Sequence, residues 1–335
     1  MKKTYYLFNP GRLSRKDNTL KLTPIDKEGV PAGDPKYLPI VDVENLYVFG
    51  SLDANSSLFN FLGKEHINVH FFDYYNHYTG SFSPKEYLLS GKMLIAQVGA
   101  HTDLNRRLFI AKQLIESAAY NMLKNLRYYL HREKDTSSQI AMINELAENI
   151  QNAETVEMLM GIEGNIRMSY YEAFSIIIDD FEMGNRTKQP PSNEINAMIS
   201  FVNTLCYSLC LDMIYHTQLN PTISFLHQPG ERRYSLALDI AEVFKPLLAD
   251  RLIFTLFNKK QIKANDFDKH LNGCLLKEKG RKTVVAAWDE KLAETIMHRE
   301  LCRKVSYRHL VKLECYKLAK HVLGLSIYDP FKTWW

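Results

Sequence analysis

The chain has 335 residues, of which 46% are hydrophobic and 24% are charged, and its formal net charge is +4. This balance is that of an ordinary globular protein of about two domains, with ample apolar material for a core. The small excess of positive charge does not by itself indicate nucleic-acid binding. The five cysteines are odd in number and form no C-x-x-C pair, which excludes a disulfide framework or a zinc knuckle and favours a reducing cytoplasm.

Residues 1–90 are predicted to be rich in β structure. The segments KTYYLFN, VENLYVFG and INVHFFDYY are short, β-branched and aromatic, as strands tend to be. The segment RLSRKDNTLKL alternates around Asp17-Asn18, which is a hairpin signal. NSSLFNFLG predicts one short helix, with Asn55 or Ser56 as its cap and Gly63 at its end. We therefore expect a small twisted sheet or sandwich that carries one helix.

From about residue 95 the spacing of apolar residues becomes that of helices. The helical segments are RRLFIAKQLIESAAYNMLKNLRYYLHR, SQIAMINELAENIQNA, TVEMLMGIEGNIRMSYYEAFSIII, NEINAMISFVNTLCYSLCLDMI and YSLALDIAEVFKPLLADRLIF, and two or three more helices follow. GNRTKQPPSN predicts a loop, with Asn193 as the cap of the next helix. The expected fold class is therefore α+β, with a β-rich domain over residues 1–90 and a larger all-α domain over residues 91–335.

Neither a secretion signal nor a membrane span is predicted. The N-terminal apolar run ends at Asn9-Pro10-Gly11, which is too early for a signal peptide. The longest apolar stretch, residues 199–215, contains Asn203 and Asp212, so we expect it to form a buried core helix. The expectation is a cytoplasmic protein without a membrane partner.

The stretch SFLHQPGERRYSLALDIAEVFKP places a histidine near two acids. Asp239 and Glu242 are three residues apart in a predicted helix, so their carboxylates leave the same helix face. His227 lies just upstream, in a loop set by Pro229-Gly230. The same residues can be interpreted as a solvated acidic face and as an ordinary loop or core histidine. The sequence pattern alone leaves both interpretations open.

Glu163, in the segment GIEGN, is a third acid of interest. Gly161 and Gly164 flank it within a helical pattern, and each glycine costs roughly 1 kcal/mol relative to alanine there. Such glycines predict a helix kink, a packed crossing, or the close approach of another helix or of a phosphate. Together with the two acids and the histidine downstream, Glu163 would offer the oxygen and imidazole donors that suit a hard divalent cation. A cation beside basic side chains indicates chemistry on phosphodiesters.

Basic residues recur near these acids along the sequence. The candidates for contacts to a DNA backbone are Arg186, Lys188, Arg232, Arg233, Lys245 and Arg251. Any one cluster is typical of a solvated surface, but repeated clusters beside the proposed ligands favour contacts to phosphates. The sequence contains no phosphate-binding G-x-x-x-x-G-K-[ST] loop, no G-x-G-x-x-G, no H-E-x-x-H and no G-x-S-x-G.

Four segments, in this order, resemble the family of CRISPR-associated endonucleases/integrases of spacer acquisition, the first core protein of CRISPR adaptation. They are MGIEGNIRMSYYEAF, RTKQPPSNEINAMIS, LNPTISFLHQPGERRYSLALDIAEVFKP and LLADRL. The second contains the Pro-Pro and the Asn-Ala helix start of the family. The third contains the family's histidine, its Ser-Leu pair and its Asp-x-x-Glu/Asp motif. The resemblance covers most of the chain and is strongest in residues 155–255.

The resemblance implies metal-dependent cutting and joining of DNA, with Mg²⁺ or Mn²⁺ as the cofactor. By position, the catalytic and metal-binding residues are Glu163, His227, Asp239 and Glu242. The implied substrates are double-stranded DNA fragments and CRISPR repeat DNA, joined by attack of a 3′-hydroxyl on a phosphodiester. The N-terminal half matches more loosely. It is implied to form a homodimer interface and to bind a small second core CRISPR adaptation protein.

Three functions remain open at this point. The first is the integration of DNA fragments as new spacers. The second is a general metal-dependent nuclease, or a mobile-element integrase of the same family. The third is a non-catalytic DNA-binding scaffold whose acids lie on the surface. The C-terminal segment YDPFKTWW is expected to pack on the protein, with stacking on a base as the alternative.

Overall fold

The computed structural model describes residues 2–85, 88, 90–188, 190–231, 233–270 and 273–334. The chain divides into two compact units, Met1–Tyr87 and Leu88–Trp335. The first unit is rich in strands and the second is mostly helical, which confirms the predicted α+β class. The boundary predicted at residue 90 lies just beyond the division between the units.

The described part of the first unit contains two four-stranded sheets, one α-helix and a short 3₁₀ helix at Ile40–Asp42. Its elements are β1 (Lys3–Leu7), β2 (Gly11–Lys16), β3 (Thr19–Pro24), β4 (Lys36–Pro39), β5 (Val43–Val48), β6 (Leu52–Asp53), α1 (Ser56–Lys64), β7 (Asn68–Phe72) and β8 (Tyr78–Phe82). One sheet has the order β1-β5-β7-β8, with only β8 antiparallel to its neighbour. The other has the order β4-β3-β2-β6, in which only the β2–β6 pair is parallel.

The predicted local signals in this unit act as expected. The β2–β3 hairpin turns at Asp17, whose φ of 54° is a left-handed conformation that aspartate tolerates. Asn55 caps α1 by accepting a hydrogen bond from the Leu58 N–H at 3.0 Å. The helix continues one residue beyond Gly63. Apolar residues from both sheets and from α1, including Leu13, Leu46, Leu62 and Val69, form one core.

The second unit contains nine described helices. They are α2 (Gly91–Thr102), α3 (Leu104–Leu130), α4 (Ser137–Glu148), α5 (Val156–Ile177), α6 (Glu194–Tyr215), α7 (Ser235–Phe244), α8 (Arg251–Asn258), α9 (Glu278–Ala293) and α10 (Tyr307–Val322). The expectation of an all-α domain was wrong. β9 (Phe267–His270) pairs with β10 (Gly273–Leu276), and β11 (Thr295–His298) pairs with β12 (Arg303–Ser306). Strands of four residues are too short for an alternating pattern to reveal them.

Helices α3 and α6 run through the core of this unit. α3 packs against α4, α5 and α7, and α6 packs against α7 and α10. α6 is, among the described residues, the one helix long and apolar enough to cross a membrane by length and composition. Because 78% of its most apolar window is buried inside the fold, α6 has the placement of a core helix, as predicted.

Helix α7 continues into α8 through a π-helical segment, Lys245–Asp250. Pro246 begins this wide turn because it has no N–H to donate to the preceding turn. Two buried asparagines of α3 bind backbone carbonyls here. Asn121 Nδ2 donates to Val243 O at 3.1 Å, and Asn125 Nδ2 donates to Pro246 O at 2.7 Å. Side chains of α3 therefore replace hydrogen bonds that a regular helix would make.

The C-terminal segment packs on the helical unit, as expected. Phe331 stacks on Phe244 of α7, with ring centroids 5.9 Å apart. The Phe331 carbonyl accepts hydrogen bonds from Ser117 Oγ at 2.6 Å and from Asn121 Nδ2 at 3.1 Å. The N–H of Thr333 donates to Asn121 Oδ1 at 2.8 Å. The tail thus supports the end of α7 from the side of α3.

Candidate active site

The predicted acids and histidine come from three elements of the helical unit. Glu163 lies on α5, His227 lies in the segment between α6 and α7, and α7 carries Asp239 and Glu242. Asp239 is 0% exposed and Glu242 is 4% exposed. These values rule out the interpretation as a solvated acidic face. Buried carboxylates need partners, and each of the two has them.

Asp239 holds the backbone and the imidazole of His227. Its Oδ2 accepts hydrogen bonds from the N–H groups of Phe225 at 2.6 Å and Leu226 at 3.0 Å. Its Oδ1 accepts from the His227 N–H at 3.0 Å and from His227 Nδ1 at 2.8 Å. Because a carboxylate can only accept, Nδ1 donates in this pair, and Nε2 is the ring nitrogen left for a metal ion. Asp239 therefore orients His227 so that its Nε2 atom can serve as a metal ligand.

Residues 216–234, here called the His227 loop, are also held from the opposite side by α2 and α3. Gln97, His101 and Arg107 bind its carbonyl groups. Gln97 Nε2 donates to two of them at 2.8 and 3.0 Å, and Gln97 Oε1 accepts a loop N–H at 2.9 Å. His101 Nδ1 lies 2.6 Å from a third carbonyl, and Arg107 Nε lies 2.9 Å from a fourth. Side chains of α2 and α3 therefore help to hold the loop in its conformation.

Helix α2, which supplies Gln97 and His101, was missed in the sequence. Its polarity is inverted, since Gln97 is buried while Ile95 is 75% exposed. The spacing of apolar residues therefore does not predict a helix here. Ser90 was the available signal, because it caps α2 by accepting the Met93 N–H at 3.2 Å.

Glu163 and Glu242, here called the carboxylate pair, share one guanidinium. Arg167 lies one turn after Glu163 on α5, and its Nε donates to Glu163 Oε1 at 3.1 Å. Arg167 Nη2 donates to Glu242 Oε2, and Lys245 Nζ donates to Glu242 Oε1 at 2.6 Å. Both oxygens of Glu242 are therefore bound by cations. Neither Arg167 nor its bridging position was predicted from the sequence.

The charges of this cluster stabilise one another. Burial by itself would raise the pKa of Glu242, but Arg167, Lys245 and His227 lower it to about 2. Burial would lower the pKa of Lys245, and the negative charge of Glu242 reverses this effect and raises it. Glu242 and Lys245 are consequently both ionised at neutral pH.

A further buried acid, Asp250, lies at the end of the π-helical segment. Burial raises its pKa to about 7, and the charges of Arg167 and Lys245 and a hydrogen bond from Tyr170 offset only part of this effect. Asp250 Oδ2 has no hydrogen-bond partner among the described residues. The sequence segment LLADRL gave no sign that this aspartate is buried beside the cluster.

The donor set was tested for its fit to a divalent cation. Within the described ranges, no three His, Cys, Asp or Glu side chains already converge as a metal site. The cause is visible: Arg167 lies between the carboxylates, and both oxygens of Asp239 bind the His227 loop. The chemistry of Glu163, Glu242 and His227 Nε2 fits Mg²⁺ or Mn²⁺, because two carboxylates and one imidazole suit these ions. The four-residue ligand set stays a prediction.

The two glycines beside Glu163 do not mark a helix crossing. No atom lies within 4 Å of the position that a Cβ would take at Gly161 or Gly164, and both residues are exposed. Of the alternatives predicted for these glycines, a packed crossing is therefore excluded. The backbone of α5 next to Glu163 is open to solvent. This opening leaves the other predicted possibility, the approach of a phosphate.

Two of the predicted DNA-binding residues lie in the loop before α6. Arg186 Nη1 and Nη2 donate to Asn196 Oδ1 at 3.0 Å and to Ser200 Oγ at 3.1 Å, which fixes the loop on α6. Lys188 is exposed, and its pKa is lowered by partial burial and by the nearby positive charges of Arg186 and Lys245. Glu163 and Glu242 act on the same ammonium group in the opposite sense. Lys188 is thus within electrostatic range of both glutamates of the carboxylate pair.

The other predicted DNA contacts differ in their surroundings. Lys245 binds Glu242, and Arg233 is exposed. Arg251 Nε donates to Asn125 Oδ1 at 2.6 Å inside the fold, where burial lowers its pKa. Arg232 lies outside the described residues. Contact of any of these side chains with DNA stays a prediction.

A strand-rich unit followed by a helical unit that gathers a histidine, acids and basic side chains is the plan of the CRISPR-associated endonucleases. The sequence profile described as "CRISPR associated protein Cas1" matches residues 5–290. The chain belongs to this Cas1 family.

The similarity to curated relatives covers the whole chain. CRISPR-associated endonuclease Cas1 3 of Thermodesulfovibrio yellowstonii is 47% identical over 334 residues, which are 99% of this chain and 100% of the relative. CRISPR-associated endonuclease Cas1 of Fusobacterium nucleatum is 47% identical over 338 residues, which are 100% of this chain and 98% of the relative.

Solved structures show the same fold. A CAS1 protein from Thermotoga maritima is 36% identical, with a TM-score of 0.87 over 98% of this chain and 100% of its own. A casposase bound to integration product has a TM-score of 0.84 at 20% identity, covering 97% and 91% of the two chains. A chain of a Cas6-RT-Cas1–Cas2 complex has a TM-score of 0.82 at 17% identity, and this protein covers 36% of that longer chain. The last two show likeness of fold alone.

Proposed function

We propose that this protein is a metal-dependent DNA integrase that inserts foreign DNA fragments as new spacers into a CRISPR array. One observation carries the proposal: buried Asp239 accepts a hydrogen bond from His227 Nδ1, which leaves Nε2 for a metal ion, and His227 interacts electrostatically with Glu242 of the carboxylate pair. The burial of both acids argues against the third candidate function, a DNA-binding scaffold whose acids lie on the surface. Burying them is unfavourable unless they are paired, and it fixes their geometry.

The residues of the site take distinct parts in this proposal. Glu163, Glu242 and His227 Nε2 would hold the divalent cation, and Asp239 acts through His227 by fixing its tautomer and orientation. We propose this indirect role for Asp239 in place of the predicted role as a direct metal ligand, because its two carboxylate oxygens already accept four hydrogen bonds. Mg²⁺ or Mn²⁺, when bound, supplies Lewis-acid polarisation of the phosphodiester and lowers the pKa of the attacking hydroxyl.

The chain's own side chains then position the reactants. Lys188, which is within electrostatic range of the carboxylate pair, would neutralise negative charge on a phosphate, while Lys245 binds Glu242. The open backbone at Gly161 and Gly164 lets a DNA strand approach α5 without a steric clash. A site carboxylate, or His227 where it is not a ligand, accepts the proton of the 3′-hydroxyl that attacks the phosphodiester.

The partners follow from the relatives. Because related folds occur in a casposase bound to integration product and in a complex that contains Cas2, we propose double-stranded DNA fragments, CRISPR repeat DNA and a Cas2 protein as partners. We further propose that the strand-rich unit forms a homodimer interface and binds the Cas2 partner.

The test is strand transfer by the purified protein with its Cas2 partner. A DNA fragment with 3′-hydroxyl ends and a plasmid that bears the repeat are incubated with Mg²⁺ or Mn²⁺. Glu163→Ala and His227→Ala should each lower the rate about 10³-fold or more, because a Lewis acid contributes several kcal/mol to the barrier. Binding of the fragment, measured by fluorescence anisotropy, should survive in both variants.

Glu172→Ala is the matched control, because Glu172 is an exposed glutamate of the same helix. It should transfer strands at the wild-type rate. Retained transfer by Glu163→Ala or His227→Ala would refute the site. Activity that persists in a chelator would refute metal dependence. Cutting without joining, or joining without preference for the repeat, would identify the general nuclease or the mobile-element integrase instead.

A further inference from the structure

The carboxylate pair is already neutralised by the chain itself. Glu163 and Glu242 carry two negative charges, and Arg167 and Lys245 carry two positive charges in direct contact with them. All four side chains are at most 18% exposed, so water screens their interactions only weakly. A divalent cation that enters this cluster would add two uncompensated positive charges at close range.

Arg167 also occupies the space that the ion needs. Its guanidinium donates to both glutamates from between them. Arg167 binds Oε1 of Glu163 and Oε2 of Glu242, so an ion that bridges the pair through these two oxygens has to displace it. The divalent cation and Arg167 therefore compete for the same carboxylate oxygens.

A DNA phosphate can resolve this competition. The guanidinium group of arginine binds phosphate oxygens through two parallel hydrogen bonds (bidentate binding), whereas the ammonium group of lysine acts as a point charge. The ring of Tyr171 lies beside Arg167, with 5.9 Å from the guanidinium carbon to the ring centroid, and so offers the guanidinium a further favourable contact besides the glutamates. One phosphate brings one of the two negative charges that the cluster lacks once the ion has entered, and neighbouring phosphates of the strand bring more.

Resting on the proposed function, we infer that Arg167 makes the binding of the divalent cation and of DNA cooperative. Without DNA, Arg167 holds the carboxylate pair closed and the ion binds weakly. With DNA, the phosphate draws Arg167 from Glu163 and Glu242, and the ion takes the released oxygens. Binding free energies are reciprocal, so the ion must strengthen DNA binding by the same factor. This device keeps the metal site inactive until a substrate is present.

The experiment measures Mn²⁺ affinity by isothermal titration calorimetry and by electron paramagnetic resonance. The ligand is Mn²⁺ alone, or Mn²⁺ in the presence of a saturating duplex with 3′-deoxy ends that cannot react. For the wild type, DNA should tighten Mn²⁺ binding by about 5- to 150-fold, the usual range of coupling between two sites. Arg167→Gln removes the competing charge and should bind Mn²⁺ more tightly than the wild type without DNA. In this variant DNA should add little.

Arg127→Gln, at an exposed arginine of α3, is the matched control and should behave as the wild type. Equal Mn²⁺ affinity of the wild type with and without DNA would overturn the inference. So would an Arg167→Gln variant that keeps the full DNA effect. If Arg167→Gln does not fold, the wild type still decides the matter, because its DNA affinity must rise with Mn²⁺ by the same factor.

The outcomes separate this inference from the proposed function. Tight Mn²⁺ binding that depends on Glu163 but not on DNA would overturn the coupling and keep the metal site. Mn²⁺ binding that does not depend on Glu163 and His227 under any condition would refute the proposed function and the coupling with it.

Discussion

The His227 loop and the carboxylate pair hold their side chains in different ways. The loop is fixed by hydrogen bonds between side chains and backbone groups, supplied by Asp239 on one side and by Gln97, His101 and Arg107 on the other. The carboxylate pair is fixed by two long cationic side chains. Backbone bonds hold a loop in one geometry, whereas arginine and lysine can exchange one anion for another. The site therefore joins a rigid nitrogen donor to an adjustable pair of oxygen donors.

The largest effect that tests this contrast concerns folding. Asp239→Ala should shift the midpoint of denaturant unfolding strongly, because two buried N–H groups and one partly buried N–H group lose their acceptor. An unsatisfied buried group costs about 1–3 kcal/mol, so a loss of about 3 kcal/mol or more is expected. Glu163→Ala should change stability by less than about 1 kcal/mol, because Arg167 keeps Glu242 as its partner. Equal losses of folding stability in the two variants would contradict the proposed difference between the His227 loop and the carboxylate pair.

A medium effect concerns the positioning of His227. Gln97→Leu removes three hydrogen bonds to the His227 loop and touches neither metal ligand nor substrate. Strand transfer should fall about 10- to 100-fold, as for other residues that orient a metal ligand, and Mn²⁺ affinity measured with DNA should fall with it. Ile95→Ala, on the exposed face of the same helix, should leave both quantities unchanged. An active Gln97→Leu variant with unaltered Mn²⁺ affinity would show that the loop keeps its shape without α2.

The smallest effect concerns pH. The pKa of Asp250 is raised to about 7 from an ordinary value of 3.8, mainly by burial. Its proton therefore stabilises the fold below the ordinary pKa, and this contribution is lost as the pH rises through about 7. Asp250→Asn cannot titrate, so its unfolding midpoint relative to the wild type should be higher at pH 8 than at pH 5. A difference that is constant over this range would contradict the assignment of the shift to Asp250.

Much of the fold followed from local patterns. The hairpin at Asp17, the cap at Asn55 and the long amphipathic α3 each depend on residues close in sequence. Helix α2 and the short strands of the helical unit were not predicted from local sequence patterns. Gln97 is buried because it binds a loop more than a hundred residues away, and apolar periodicity does not register such a contact.

The candidate site was predictable in its composition but not in its connections. Segments of the chain gave Glu163, His227, Asp239 and Glu242 through resemblance to a family. The bridge from α5 to α7 through Arg167, and the burial of Asp250, arise only when distant helices pack together. The alternatives for Gly164 stayed open for the same reason, since no sequence pattern shows which helix face remains exposed.

The most direct measurement is an anomalous-scattering map of crystals of the DNA complex grown with Mn²⁺. The account predicts one peak bound by the carboxylates of Glu163 and Glu242 and by His227 Nε2. Asp239 should still bind His227 Nδ1, and Arg167 should have moved from the glutamates to a phosphate. A peak bound directly by Asp239, or an Arg167 that still joins Glu163 to Glu242 while the ion is present, would contradict it.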